Sequence, residues 1–487
     1  RAAAPRPGPP PLAHVLLVSV DGLHAQDLQR FVATHPQSTL ARLAAHGLTY
    51  TQARTPAPAD SFPGLLALVT GGGPAATGVL YDVSYDRRLS PPGSDCRRTG
   101  TVVRYDESLD LPGAAEGAPL LDERRLPLDP DRGCTPVAPH RYLRVNTVFD
   151  VLHAAGLRSA WADKHPAYEI VEGPDGHGVD DLYTPEIGAN FKGPAEAGAA
   201  TAADKVTASV ERTAAYDRRK AQAVLAWIDG RRHDGAPGAG VPALFGLNLQ
   251  AVNVGQKRGG YLDAQGRPSP ALALALRDTD ALLGRLLEAL QSHGLRASTL
   301  IVVTAKHGNG PIDPARLRRV PRRALQQAVA AAAGAEPAQL TSDRVALVWL
   351  HDAGPTAAVA AALRQQAAAL GIGRVLTGAA IDRALGGRMA PSRRPDLIVQ
   401  PRPGVIYAAA GDDKRAEHGG FSDDDRHVAL LLSNPVWFGT ARRTAQPVST
   451  RQVAPTLLTA LGLDPMALQA LQRQPEAPLP GVEPVAR

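Results

Sequence analysis

The sequence of 487 residues predicts an α/β fold, a three-layer α/β/α sandwich around a mostly parallel central sheet. Apolar runs typical of fully buried strands, among them HVLLVSV, PALFGLNLQ and STLIVVTAKHG, alternate with amphipathic helical patterns. Buried strands separated by helices are typical of parallel sheets that are covered on both faces. Polar residues follow several of these strands, which places them at the carboxyl edge of the sheet, where α/β proteins build their sites.

The predicted elements follow one another in a regular order. After the first strand, HVLLVSV, helical patterns follow in the segments AQDLQRFVATH, STLARLAAHG, FPGLLALVTGG and TVFDVLHAAG. The strand RSAWAD, a helix around AYDRRKAQAVLAWIDG and the strand PALFGLNLQ come next. A long amphipathic helix, ALALALRDTDALLGRLLEALQSHG, ends in glycine before the strand STLIVVTAKHG. The strand HVALLLSNP and the helix STRQVAPTLLTALGL complete the core.

Two segments interrupt this order within a main domain over residues 13–465. Residues 83–145 are rich in Pro, Gly, Asp and Arg and predict an irregular insertion. Residues 340–400 contain strand and helix patterns that predict a small α+β insertion. Residues 1–12 predict a disordered leader, and residues 466–487 a C-terminal tail.

Composition limits the classes of partner. The net charge of +6 is spread over many arginines without a long basic run, so nucleic-acid binding is not expected, although a mild attraction for anionic substrates remains. No window approaches the roughly 18 apolar residues of a membrane span. The oligomeric state is left open by the sequence.

The two cysteines bear on the compartment. Cys96 and Cys134 fall in the same loop-rich region, which is compatible with one disulfide in a secreted or periplasmic protein. Two unrelated free thiols are the alternative. Because the chain begins at Arg1 rather than Met, we expect that a leader has been removed.

Four short stretches carry the candidate chemistry. They are SVDG with Asp21, DSFPG with Ser61, TAKHG with His307 and EHGG with His418. Each alone has a simple structural explanation, since the aspartate suits a turn, the serine suits a helix N-cap, and both histidines precede glycine in turns. Only their order along the chain distinguishes a site from four turns.

That order resembles the alkaline phosphatase superfamily, specifically the type I phosphodiesterase/nucleotide pyrophosphatase family. The resemblance covers roughly residues 13–465 and is strongest in VLLVSVDGL, DSFPGLLALVTGGGPAATGVLYD, STLIVVTAKHG and EHGG…VALLLSNP. It implies an alkaline-phosphatase-like sandwich. It also implies two divalent metal ions, commonly zinc, that clamp a small-molecule phosphate ester.

The resemblance assigns a role to each of the four motif residues. Ser61 matches the nucleophile that forms a phosphoryl-enzyme, at a helix N-terminus that favours phosphate oxygens. Asp21, Ser61 and His307 match ligands of the metal that activates the nucleophile. His418 matches a ligand of the second metal.

Several positions depart from the family pattern. Val252 and Gln256 stand where the family shows a metal-binding Asp and His, Lys306 stands where it shows a metal-binding Asp, and Gly64 replaces an Asn that contacts phosphate. Zinc sites normally need three or four protein ligands. One or two divalent ions, with zinc expected, would therefore have an incomplete ligand set. Other acidic residues and a histidine are available nearby, although charged loops of this kind are mostly solvated: Asp163, His165, Asp180, Asp181 and Asp423 to Asp425.

Lys306 suggests an alternative to the missing metal. Its ammonium group could take the place of a divalent ion, pair with Asp21 and stabilise a phosphate or sulfate oxygen, which would make it a catalytic residue. Equally, Lys306 could only neutralise Asp21 in a relic site. Lys164 adds a second positive charge, and with Asn253 and Gln256 it completes the candidate substrate-binding residues.

Three hypotheses of function follow. The first is a hydrolase of phosphate esters, either phosphodiesters or nucleotide-type pyrophosphates, acting through Ser61. The second is a catalytically degenerate member of the family that binds an anionic ligand or a partner. The third is a sulfatase-like or other ester hydrolase on the same fold, since fold does not fix substrate.

Overall fold

A computed structural model describes residues 10–111, 120–187 and 205–482. Its central sheet has eight strands, and the helices lie on both faces of this sheet. The strands in chain order are β1 (His14–Val20), β2 (Gly47–Tyr50), β3 (Ala53–Arg54), β4 (Val83–Asp86), β5 (Thr101–Arg104), β6 (Leu128–Asp129), β7 (Thr135–Pro136), β8 (Ser159–Ala162), β9 (Asp181–Tyr183), β10 (Leu244–Leu249), β11 (Thr299–Thr304), β12 (Arg318–Pro321), β13 (Gln339–Ser342), β14 (Ala346–Trp349), β15 (Ile372–Leu376), β16 (Leu397–Pro401), β17 (Val405–Ala408), β18 (His427–Val428), β19 (Leu430–Ser433), β20 (Arg442–Thr444) and β21 (Val448–Ser449).

The α-helices surround this sheet and the smaller ones. In chain order they are α1 (Ala25–Thr34), α2 (Thr39–Ala45), α3 (Ser61–Thr70), α4 (Pro74–Thr77), α5 (Pro139–Tyr142), α6 (Val148–Ala154), α7 (Val210–Ile228), α8 (Ala251–Arg258), α9 (Pro270–Ser292), α10 (Arg322–Ala333), α11 (Thr356–Gln365), α12 (Ala379–Ala384), α13 (Asp423–Arg426), α14 (Val453–Ala460) and α15 (Gln469–Arg473). Within the described residues, none of them is long and apolar enough to cross a membrane.

The order of strands in the central sheet is β20-β2-β19-β11-β1-β10-β8-β9. β1 pairs in parallel with β10 and β11, whereas β19 runs antiparallel to both of its neighbours. Ser19, next to the end of β1, lies opposite Asn248 of β10 and Thr304 of β11. Because these three strands end at the same level, the residues that follow them meet at one edge of the sheet.

Alternation along β1 explains the two cores. Leu17 lies in a cluster with residues of α3, α6 and α14, and its neighbour Val18 lies in another with residues of α7, α8 and α9. Successive side chains of a strand point to opposite faces, so a strand that is apolar throughout is covered on both sides. The predicted three-layer α/β/α sandwich is therefore confirmed.

The small α+β insertion is a separate antiparallel sheet in the order β13-β14-β16-β15. One of its faces packs under α10 and α11 around Val348 and Val399. The other, through Trp349 and Ile398, packs on Leu80 in the segment after α4. The inserted sheet is thus fixed to the core beside the helix that carries Ser61.

The described part of residues 83–145, which leaves out 112–119, consists of short elements, as the composition predicts. Two hairpins, β4 with β5 and β6 with β7, are joined by turns and 3-10 helices. Cys96 and Cys134 form a disulfide, so the paired alternative of the sequence holds and the free-thiol alternative does not.

Both ends of the described chain contact the core. Of the expected leader, residues 1–9 lie outside the described residues, and in the remainder Leu12 N–H donates to the carbonyl of Ala460. Of the expected tail, residues 483–487 lie outside the description, and Leu479 and Val482 are buried in the core with α3 and α14. Residues 466–482 therefore belong to the folded domain rather than to a loose tail.

Candidate active site

Asp21 directly follows β1 and is fully buried. Its Oδ2 accepts a hydrogen bond from the Gln250 side chain and lies 3.6 Å from Lys164 Nζ and 3.8 Å from His307 Nε2. Burial alone would raise the pKa of this carboxyl group, but the positive charges of Lys306 and Lys164 hold it well below the ordinary value. Asp21 is therefore a permanent negative charge at the sheet edge.

Ser61 is the first residue of α3, and its side chain is buried at this edge. Its Oγ lies 3.2 Å from His307 Nε2 and 3.2 Å from Lys164 Nζ. The first N–H groups of a helix have no partner within it and carry the positive end of the helix dipole. The hydroxyl group thus has a possible proton acceptor, a cation and a helix N-terminus around it.

The contacts of His307 fix its tautomer. Nδ1 lies 3.0 Å from the carbonyl oxygen of Gly308, which can only accept, so Nδ1 carries the proton. Burial and the neighbouring charges of His418 and Lys164 lower the pKa of His307 well below its ordinary value. His307 is therefore a neutral imidazole whose Nε2 presents a lone pair to Ser61 Oγ.

His418 stacks on His307, with ring centroids 3.7 Å apart and planes 15° from parallel. Its Nε2 lies 3.5 Å from Asp60 Oδ1, and its Nδ1 lies 3.1 Å from both Asn309 Oδ1 and Glu417 Oε1. Burial acts to lower the pKa of His418, but Asp60 and Glu417 outweigh it and raise the pKa. The stacked pair thus combines a neutral ring with a ring that favours its charged form.

Lys306 has a different partner from the one that its position suggests. Its fully buried Nζ donates to both oxygens of Asp163, at 3.0 and 3.1 Å, and lies 4.1 Å from the centroid of the Tyr168 ring. Asp163 also accepts from Trp161 Nε1 at 2.9 Å. The expectation that Lys306 pairs directly with Asp21 is therefore wrong, because Asp163, which follows β8, binds the ammonium group instead.

Lys164 instead occupies the position between Asp21 and Ser61. Its side chain is 12% exposed, whereas those of Asp21 and Lys306 are 0% exposed, so it borders the solvent. Burial acts to lower the pKa of Lys164, but the carboxylates of Asp21 and Glu107 raise it above the ordinary value. Lys164 is thus the ammonium group that can meet an incoming anion beside the serine.

Gln256 and Asn253, both on α8, face inward to other protein groups. Gln256 Nε2 donates to the carbonyl of Gly22 at 2.7 Å, and its Oε1 accepts from Asn309 Nδ2 at 2.6 Å. Asn253 Oδ1 also accepts from Asn309 Nδ2, at 2.9 Å. In these contacts the two amides support the loops after β1 and β11.

The donor set does not fit the two-zinc centre that the family resemblance implies. In residues 10–111, 120–187 and 205–482, no three His, Cys, Asp or Glu side chains converge so that they could hold a metal ion. The ammonium groups of Lys164 and Lys306 lie among the carboxylates instead, and the buried Val252 offers no donor atom. The ammonium groups of these two lysines thus occupy the space beside Asp21 and Asp163 that a metal ion would need.

The other acidic residues considered as ligands, and the one histidine among them, are engaged elsewhere. Their partners are His165 with Asp110, Asp180 with the Ser159 backbone, Asp181 with Trp227 and His233, Asp423 with Arg54, Asp424 with the Ile312 backbone, and Asp425 with Arg344. Only Asp163 belongs to the site, and it binds Lys306.

Sequence reasoning missed three polar residues beside the serine. Asp60 occupies the N-cap position of α3, and its side chain accepts from Asp82 N–H at 2.9 Å. Asn309 links His418 to α8, and Glu417 binds Lys257 at 2.8 Å. Each is a sequence neighbour of a motif residue, in DSFPG, KHGNG or AEHGG. Their proximity to the motifs is the signal that could have identified them.

Known structures share this fold at low sequence identity. Wild-type alkaline phosphatase PafA is 15% identical with a TM-score of 0.67, covering 99% of this chain and 100% of that one. Murine ectonucleotide pyrophosphatase/phosphodiesterase 5 is 15% identical with a TM-score of 0.60, covering 92% and 95%. An inactive form of that murine protein in complex with AMP is 14% identical with a TM-score of 0.59, covering 92% of this chain and 95% of that one. These likenesses place the chain in the alkaline-phosphatase-like fold.

Sequence comparison identifies the family directly. No curated protein sequence matches the chain. Residues 15–423, by contrast, match the family described as type I phosphodiesterase / nucleotide pyrophosphatase, and this match spans nearly the whole sandwich. The chain therefore belongs to the type I phosphodiesterase/nucleotide pyrophosphatase family of phosphoester hydrolases.

Proposed function

We propose that the chain hydrolyses phosphate esters, with phosphodiesters or nucleotide-type pyrophosphates as the substrate class, through a phosphoryl intermediate on Ser61. One observation carries this proposal: Ser61 Oγ lies 3.2 Å from a neutral His307 Nε2 and 3.2 Å from the Lys164 ammonium group. A base that accepts the hydroxyl proton and a cation that stabilises the resulting charge are the two groups that an oxygen nucleophile needs.

The first half-reaction transfers the phosphoryl group to the enzyme. As Ser61 Oγ attacks phosphorus, His307 Nε2 takes its proton, and the bond from phosphorus to the leaving oxygen breaks. The leaving group then takes a proton from solvent. Lys164 and the free N–H groups at the start of α3 stabilise the charge on the phosphoryl oxygens.

The second half-reaction restores the enzyme. Water attacks phosphorus and releases its proton to solvent, while the bond from phosphorus to Ser61 Oγ breaks. The His307 imidazolium returns its proton to Oγ. Asp21, 3.8 Å from His307 Nε2, stabilises the imidazolium between the two steps.

The nucleotide-type substrate class is supported by the family and by one neighbour. The murine neighbour has been solved in an inactive form with AMP, which is a nucleotide phosphate. Lys164, whose side chain borders the solvent, is the cation beside the serine of this chain and would pair with such a phosphate.

Substitution of Ser61 tests the nucleophile. Ser61→Ala removes Oγ and is expected to lower the turnover of a nitrophenyl phosphodiester by at least about 1,000-fold, while melting temperature and circular dichroism stay unchanged. Ser433→Ala, a buried serine of β19 away from the site, is the matched control and should retain turnover. Equal activity of Ser61→Ala and the wild type would exclude the proposal and favour the degenerate, ligand-binding alternative.

We infer further that lysine side chains supply the positive charge that metal ions supply in relatives. Wild-type protein treated with a chelator and then dialysed should keep its turnover, and Lys164→Gln should lose at least about 100-fold. Elemental analysis that finds two tightly bound zinc ions, together with loss of activity on chelation, would contradict this inference. A panel of phosphomonoester, phosphodiester and sulfate ester substrates separates the remaining substrate classes.

The Cys96–Cys134 disulfide supports a secreted or periplasmic location, since such bonds persist in oxidising compartments. Mass spectrometry of the protein from its native compartment, with and without alkylation before reduction, tests this inference. Free thiols in that material would contradict it.

A further inference from the structure

A second cationic region lies apart from Ser61, at the junction between the small inserted sheet and the core. It is a cavity of about 710 Å³, lined from the insertion side by Arg374 of β15 and Arg383 of α12. On the core side it is lined by Arg54, Arg426 and Arg451. We call it the arginine cavity. Its volume is within the range of ligand-binding cavities.

The charge of the arginine cavity is only partly neutralised. Arg54 pairs with Asp423 at 3.0 Å, and Arg451 lies 3.5 Å from Glu476, but neither carboxylate is among the residues that line the cavity. Five arginines with only two carboxylate partners leave a net positive charge around a cavity that no carboxylate lines, and such a charge attracts anions. The guanidinium group of Arg451 is also held by the carbonyls of Gly71 and Gln474, so it faces the protein as well as the space.

Two of the five guanidinium groups have no partner among the residues that the structure describes. They belong to Arg374 and Arg383, whose side chains are exposed, form no hydrogen bond or ion pair there, and border the cavity. Arg426 is held differently, since its Nε donates to the carbonyl of Thr55 at 2.9 Å. Burial and the positive charge of Arg54 lower the pKa of Arg426, against the opposite effect of Asp423 and Asp425.

The cationic surface continues beyond the cavity. An adjoining cavity of about 500 Å³ shares Gly386 and Gln474 with it and is lined by Arg144, Arg388 and Arg473. None of the residues around the serine, Asp21, Lys164 and His307 included, lines either cavity. An anion that fills this groove is therefore bound separately from a substrate at Ser61.

We propose that the arginine cavity binds a small polyanion that carries at least two phosphate or sulfate groups. The planar fork of a guanidinium group matches the oxygens of either group in a bidentate fashion, so several arginines from two sides can clasp one such molecule. The lining arginines border a space of about 710 Å³ from two sides, which is far larger than a single orthophosphate. The bound polyanion links the inserted sheet to the core.

Titration calorimetry with inorganic tripolyphosphate and with sucrose octasulfate tests the site and distinguishes phosphate from sulfate. The double variant Arg374→Gln/Arg383→Gln should bind the preferred probe at least 10-fold more weakly than the wild type. Arg277→Gln/Arg323→Gln removes the same charge from two exposed helix positions and should bind as the wild type does. Because Arg374 and Arg383 have no partners in the described chain, the melting temperature without probe should not change.

Lys164→Gln separates this site from the serine. Its affinity for the preferred probe should stay within 2-fold of the wild-type value, since Lys164 does not line the arginine cavity. The proposal is overturned if neither probe binds, if the cavity variant and its control bind equally, or if Lys164→Gln alone loses binding. Failure of hydrolysis in the Ser61 experiments would leave this result unaffected, because no step here depends on catalysis.

Discussion

At the scale of single residues, two lysines each neutralise the charge of one buried carboxylate. Lys306 pairs with Asp163 at 3.0 Å, and Lys164 lies 3.6 Å from Asp21. A buried ammonium group that keeps its carboxylate partner is tolerated, whereas a buried carboxylate without a partner is strongly unfavourable. Each of the four charges beneath the nucleophile therefore has a partner of opposite sign.

Removing one partner of the buried pair tests this account. Lys306→Met leaves Asp163, which is 0% exposed, with neutral donors only, and should lower the free energy of unfolding by about 3–5 kcal/mol. Urea denaturation of the wild type and the variant measures it. The double variant Asp163→Asn/Lys306→Met removes both charges and should recover a substantial part of the loss. A double variant as unstable as the single one would show that Lys306 acts through packing and not through charge.

The order of motifs predicted that three of the site's side chains meet at one edge of the sheet, but it predicted neither their partners nor the other polar residues beside them. Asp21, Ser61 and His307 each follow a strand or begin a helix, and the parallel strands bring them together. The partner of Lys306 could not be read from the sequence, because Asp163 is 143 residues away and only the pairing of β8 with β10 brings it close. Local pattern predicts where a side chain emerges, whereas its partner depends on the packed fold.

At the scale of elements, the approach of α3 to the end of β11 explains Gly64. A Cβ at Gly64 would lie 2.2 Å from the carbonyl oxygen of Lys306, so only glycine lets the helix pass so close to the backbone. The Asn of the family cannot be accommodated at this position without moving one of the two segments. Close packing of α3 on the Lys306 backbone thus fixes Ser61 relative to His307.

Gly64→Ala should therefore disturb both stability and catalysis. Overpacking of this kind costs about 1–3 kcal/mol, and displacement of α3 would lengthen the distance from Ser61 Oγ to His307 Nε2. Thermal unfolding and turnover of a phosphodiester, measured on the same preparation, check both effects. Gly439→Ala, where the added Cβ meets no atom within 4 Å, is the control and should be near neutral. Full activity of Gly64→Ala would show that the contact is not needed for alignment.

The N-terminus of α1 makes stability dependent on pH. His24 precedes this helix, and its ring contacts Asp27 at 2.9 Å, Tyr261 at 2.7 Å and the carbonyl of Asp424 at 2.7 Å. Burial acts to lower the pKa of His24, but Asp27 and Asp424 raise it from 6.5 to about 9. A folded-state pKa above the unfolded one means that the charged form stabilises the fold.

The stabilising contribution of His24 should be complete below about pH 6.5 and lost as the pH rises to about 9. The free energy of unfolding of the wild type should consequently fall over this window, and the fall should be smaller in His24→Gln. Denaturation at pH 6, 7, 8 and 9 measures the slope. His153→Gln, at an exposed position of α6, should retain the wild-type slope. Identical slopes for His24→Gln and the wild type would contradict the assignment.

At the scale of the whole molecule, the fold could be predicted further than its accessory parts. The strands β1, β10 and β11 are mostly apolar along their buried runs, and this pattern indicated a sheet covered on both sides. The packing of residues 466–482 into the core was not predicted, since Leu479 and Val482 are isolated apolar residues among prolines. An isolated apolar residue forms no periodic pattern in the sequence, so its burial cannot be predicted from periodicity. It depends on the surface against which the residue packs.

The Cys96–Cys134 disulfide should stabilise the irregular segment of residues 83–145. It joins residues separated by 38 positions, and the described part of this segment consists mainly of short hairpins, turns and 3-10 helices. On the chain-entropy account, a closed loop of this length adds about 4 kcal/mol against unfolding. Because the segment packs on the main core through Val103 and Leu126, its opening exposes apolar surface next to α3.

Cys96→Ser/Cys134→Ser should therefore open residues 83–145 before the sheet unfolds. Limited proteolysis followed by mass spectrometry should find the first cuts of the variant in this segment, at rates at least about 10-fold above those of the wild type. Thr135→Ser, an exposed neighbour of Cys134, is the matched control and should be cut like the wild type. First cuts in the inserted sheet around β13 to β16, at unchanged rates in 83–145, would show that the hairpins hold without the covalent link. Turnover through Ser61 should fall only to the extent that the opening of residues 83–145 displaces α3.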